Sequence, residues 1–215
     1  MKKRIFSLFL TFIIVMSASA GAFASDGFNK SVFDNATDVY VVKDDMTGDF
    51  IVTSESLLGS NSLITPISGN GHVNAYLVAG VTDDLNMISF SINYYADDWA
   101  FINKVIFKIG TKRYTFSNLD VKRSVQKNAT ISENCNFEIS SKSLPMMSDF
   151  IEHRDEEIKV RLQGQSRNVD FILTDEMKNG IINIWNLYVA GGGTSHSSME
   201  KIDLISNVGL TIAQD

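Results

Sequence analysis

The sequence predicts a mainly β protein, an antiparallel β-sandwich or open barrel with one C-terminal amphipathic helix, about 174–190, packed on it. Three observations carry that expectation. Short runs that alternate apolar and polar residues recur along the chain, separated by Gly, Asp and Asn turns. Fourteen Phe and six Tyr stand against two Pro, a balance that suits half-buried pleated surfaces. A single late stretch switches clearly to helical spacing and carries a start signal and a stop signal.

The chain opens with Lys2-Lys3-Arg4, an apolar run from Ile5 to Met16, and small residues that end in Ala22-Phe23-Ala24. That order is the one of a secretory signal peptide, so residues 1–24 are expected to be removed and the protein to be secreted or periplasmic. The apolar run is shorter than the roughly 20 residues a membrane span needs, so no integral membrane protein is expected. Without residues 1–24 the chain keeps 16 basic against 25 acidic residues, a net charge of −9. An acidic chain whose basic residues are scattered along the sequence, with no stripe, is not expected to bind nucleic acid.

Residues 25–193 read as a single β-rich domain, with an N-terminal hairpin over 37–54 and a main sheet over 72–173. Residues 25–36 are a polar lead-in. Thr37–Lys43 and Phe50–Thr53 flank a turn at Asp44–Asp49, whose Asp and Gly supply turn geometry. Glu55–Gly71 is Ser-, Gly- and Asn-rich and reads as a loop between hairpin and main sheet. His72–Val81 is a strand. Ile88, Phe90, Ile92 and Tyr94 alternate with Ser89, Ser91 and Asn93 in the clearest strand pattern of the chain. Residues 100–117 read as a hairpin turning at Gly110-Thr111. Residues 118–128 are charged and read as a connection. In the next strand Ile131, Cys135, Phe137 and Ile139 share one phase, which makes Cys135 a small buried hydrophobe. Pro145 opens a short helix.

Glu157–Gln163 and Val169–Leu173 alternate on either side of a loop headed by Gly164. Thr174 then caps a helix whose first turn holds Asp175 and Glu176, where carboxylates suit the dipole. Met177, Ile181, Ile184, Trp185 and Tyr188 follow on one face, and Gly191-Gly192-Gly193 stops it. Gly180, at the edge of that stripe, would let the helix approach the sheet closely. Residues 194–215 are expected to be a flexible joint followed by candidate edge strands around Ile202–Ile212.

The sequence carries no Gly-x-Ser-x-Gly elbow, no zinc-binding His-Glu-x-x-His and no Cys-x-x-Cys. His72, His153 and His196 are far apart, so no metal and no cofactor are expected. Binding demands less. Tyr95, Asp97, Asp98 and Trp99 lie together at a turn, where loops at a sandwich end commonly carry recognition. Aromatic side chains there would stack on sugar rings or anchor a partner. The leading expectation is a secreted, non-enzymatic module that recognises an extracellular protein or glycan at these four residues. The competing expectations are a glycan hydrolase using paired carboxylates, Asp83-Asp84 and Asp97-Asp98, and a structural subunit that assembles through a strand edge within residues 200–212.

Overall fold

A computed structural model describes residues 28–34, 36–54, 65–67, 71–82, 85–126 and 130–214. The expected signal peptide, Asp83, Asp84 and most of the loop at 55–71 lie outside the described residues. Among the described residues, twelve strands form two antiparallel sheets. The first contains β1 (Val39–Lys43), β2 (Phe50–Ser54), β3 (Thr65–Pro66), β4 (His72–Val81), β5 (Asn86–Ala96), β8 (Asp120–Val125) and β9 (Ile131–Glu138). Its order is β1-β2-β4-β5-β9-β8, with the two-residue β3 also paired to β4. The second runs β11 (Asn168–Ile172), β10 (Lys159–Gly164), β6 (Ile102–Ile109), β7 (Lys112–Ser117) and β12 (Gly209–Gln214).

The alternation in each strand decides which face is buried. In β5, Ile88, Phe90, Ile92 and Tyr94 are fully buried, and their register partners in β4 and β9 include Leu77, Ala79, Cys135 and Phe137. The second sheet answers with Phe107, Phe116, Val160 and Leu162. Phe116 stacks on Phe137 at 4.4 Å between ring centroids, and Phe90 lies 5.2 Å from Phe107, so aromatic rings from both sheets form the centre of the sandwich. Cys135 is buried there as a small apolar residue, and burial pushes its thiol up to about 12.

Three α-helices are found among the described residues: α1 (Leu144–Glu152), α2 (Asp175–Ala190) and α3 (His196–Ile205). The α2 boundaries match the sequence expectation. The Thr174 side chain accepts from Met177 N, and Met177, Ile181, Ile184, Trp185 and Tyr188 are buried. The helix packs on β2 and β4. A Cβ at Gly180 would lie 3.0 Å from Ser54 Cβ and Oγ, so glycine does permit the close approach.

Four expectations need correction. The 37–54 hairpin is not set apart from a main sheet: β2 pairs with β4, and the region 72–173 is divided between two sheets. Residues 120–125 are no simple connection but the edge strand β8, hidden by its charged composition. The flexible joint and first edge strand are instead α3, where Ser195 caps the helix and Met199 and Ile202 bury one short stripe. Of the expected strand pair only β12 exists, paired with β7 at the edge of the second sheet. Residues 200–205 are therefore helical and offer no strand edge. No helix among the described residues is long and apolar enough to cross a membrane.

Candidate functional site

Strand β5 ends at Ala96, and the chain must then cross from the first sheet into β6 of the second. Residues 97–101 make that crossing and are gripped from both sides. From the first sheet comes Glu133, which occupies the apolar phase of β9 between Ile131 and Cys135 and is fully buried. Its Oε1 accepts from Ala100 N at 2.7 Å and Phe101 N at 2.9 Å, and its Oε2 from Ile102 N at 2.9 Å. Arg123 Nε, 3.0 Å from Oε2, provides the fourth donor, and Arg123 Nη2 donates to Ile102 O at 2.8 Å. A buried carboxylate is tolerated when its lone pairs are filled and its charge is paired, and here both conditions hold.

The β10–β11 turn holds the other side. Ser166 N donates to Ala100 O and Gln165 N to Phe101 O, each at 3.1 Å. A Cβ on Gly164 would lie 2.1 Å from Ala100 O, so the turn closes on the crossing segment only because residue 164 lacks a side chain. Tyr94 points inward and donates its hydroxyl to Asp98 O at 3.0 Å.

The result is a fixed backbone with aromatic side chains at its tip. Trp99 is half-buried and stacks on Phe101, with centroids 6.0 Å apart and ring planes at 28°. Phe101 is 41% exposed, and the Arg123 guanidinium lies 5.8 Å from its ring centroid. Phe101 also has φ +54°, a left-handed conformation that costs a non-glycine residue about 1–2 kcal/mol. Three backbone N–H groups bonded to one carboxylate hold the chain in this conformation.

The four residues singled out from sequence separate here. Trp99, Asp97 and Asp98 belong to the crossing segment. Asp97 and Asp98 are exposed, and Asp98 lies 3.6 Å from Arg167 with 87% of its side chain accessible. Glycoside hydrolysis requires a carboxylic acid held in a protected setting, which this pair lacks. Tyr95 is on the outer face of the first sheet, stacked on His72 at 4.6 Å. Burial lowers the pKa of that histidine. Nearby on the same face, Asn93 Nδ2 donates to Asn74 Oδ1 at 2.9 Å, and Asn134 donates to Ser91 and Asn93.

Two residues that hold this segment, Glu133 and Arg123, lie outside the stretch that the sequence marks. Glu133 had a legible signal, a lone acid in the buried phase of a strand, because such a residue must have donors waiting for it. No group of three or more His, Cys, Asp or Glu residues that could hold a metal exists among the described residues. In comparisons with protein-family models, curated proteins and solved structures, none matches this chain.

Proposed function

We propose that this protein is a secreted, non-enzymatic β-sandwich module that recognises an extracellular glycan or protein through the Trp99–Phe101 pair. The observation that carries this reading is the use of a buried, four-bonded Glu133 carboxylate to fix the backbone of residues 100–102. A binding loop gains affinity when its ordering cost is met before the ligand arrives. Paired aromatic rings offer a flat apolar surface to a sugar ring or an apolar side chain, while Asp98 and Arg167 add a polar margin. Export is supported by the N-terminal order of basic, apolar and small residues.

The experiment is a screen of the purified protein against glycan and extracellular-protein arrays, repeated with the W99A/F101A variant. The expected result is a ligand retained by the wild type and lost by the variant, with the fold of both verified by circular dichroism. Silence from folded wild-type protein, or equal binding of every retained ligand by the variant, would overturn the reading.

A further inference from the structure

The second sheet has an outer face, and strand register determines what lies on it. One row across the sheet reads Ala213, Arg113, Lys108, Lys159, Ile172. The next reads Thr211, Thr115, Ile106, Arg161, Asp170, and the third Gly209, Ser117, Lys104, Gln163, Asn168. Five cations and one acid therefore share one face of a chain in which acids outnumber bases by 25 to 19. The expectation that the basic residues form no stripe is thus corrected: residues distant in sequence become neighbours in the sheet.

Arg113, Lys108 and Lys159 are consecutive in one row, on strands about 4.8 Å apart. Like charges opposite one another destabilise a sheet, a cost that nearby acids or a bound anion would offset. Part of the charge is compensated: Arg161 makes two 2.6 Å bonds to Asp170, and Lys159 lies 2.9 Å from Glu157. Four of the cations and Asp170 line a groove of about 550 Å³, whose apolar lining includes Ile106 and Ile172.

We infer that this groove binds an anionic polysaccharide, one acidic sugar to a strand, with the ring lying on Ile106 and Ile172. The spacing of the cation row is close to the length of one pyranose residue. Asp170 makes the choice among anions. Asp170, on the edge strand β11 and bonded to Arg161, offers with it both an acceptor and donors to sugar hydroxyls, groups that an acidic peptide of Glu or Asp does not present. A concave surface does not suit a lipid bilayer, and the three rows contain no aromatic side chain on which a nucleic-acid base would stack. The chain's overall negative charge acts weakly here, because salt screens fields over about 8 Å under physiological conditions.

This inference does not depend on the aromatic loop, and one calorimetric experiment separates them. The purified protein is titrated with an oligogalacturonate, a neutral oligosaccharide of equal length, poly-glutamate, anionic phospholipid vesicles and single-stranded DNA. The oligogalacturonate should bind best, more weakly as salt rises, and about tenfold more weakly to K108Q/K159Q. W99A/F101A should bind it like the wild type, and circular dichroism verifies the fold of K108Q/K159Q. Preference for any other ligand, undiminished binding by K108Q/K159Q, or no binding by folded wild type would overturn the inference.

Discussion

Arg123 and Glu133 are direct register partners on β8 and β9, and their side chains meet at 3.0 Å on the inner face of the first sheet. The pair is asymmetric. Glu133 is fully buried, whereas about a third of the Arg123 side chain reaches solvent, between the carboxylate and the Phe101 ring. The acid acts inward on three backbone amides and the base outward on an aromatic surface.

Replacing the acid by its neutral isostere should therefore cost more than replacing the base by another cation. Glu133→Gln preserves shape but points an amide NH2 at groups that are themselves donors, leaving buried N–H groups and Arg123 without an acceptor. A loss of about 3 kcal/mol is expected, or roughly 6–12 °C in Tm for a chain of this size. Arg123→Lys keeps the three backbone N–H donors and a positive charge beside the carboxylate, and should cost less. Urea denaturation of both variants checks the order, and an equal or reversed loss would show that the carboxylate is not what holds the loop.

Strain at Phe101 can be separated from stacking by two substitutions. Phe101→Ala loses the contacts with Trp99 and Arg123 but keeps the left-handed backbone. Phe101→Asn loses the same contacts while placing at φ +54° a residue that tolerates it. The asparagine variant should thus be more stable than the alanine variant by about 1 kcal/mol. If the two unfold at the same urea concentration, the backbone there stores no strain.

Much of this architecture was legible locally. The period-two pattern of β5, the 100–117 hairpin and the cap-to-stop signals of α2 are properties of consecutive residues, and each element formed where its pattern lies. What escaped had no consecutive pattern to read. The repeat in β8 is carried by Arg123 in place of an apolar residue, so the strand reads as a charged linker. In α3 only Ser198, Met199 and Ile202 are buried, too short a stripe to stand out from its Ser-rich surroundings. The cation row joins residues 108, 113 and 159, which only the pairing of β7, β6 and β10 brings together. The candidate site was half visible. Trp99 and its acidic neighbours stood out by composition, but the acid that fixes them is more than thirty residues away on β9.

Acid sensitivity should trace in part to Asp149, which ties α1 to β7. Lys112 Nζ lies 3.0 Å and 2.8 Å from its two carboxylate oxygens, and the Tyr114 hydroxyl donates to Oδ2. Burial alone would raise the pKa of this carboxyl, but the bonds from Lys112 and Tyr114 outweigh it and hold the group below the usual carboxylate range. Tyr114 is shifted upward, by burial and then by its bond to Asp149, and remains protonated throughout acid titration. A carboxyl whose pKa is lower in the folded than in the unfolded chain binds fewer protons when folded. Its stabilisation is complete above the unfolded value of about 3.9 and is lost as pH falls through the lower folded value. Asp149→Asn should cost roughly 2 kcal/mol at neutral pH, and the gap from wild type should narrow as pH drops below about 4. Other titrating groups are common to both proteins, so the narrowing reports Asp149 itself. Urea denaturation of both at neutral pH and at several acid values provides the comparison, and a gap independent of pH would show that the carboxylate's charge is not what joins the helix to the strand.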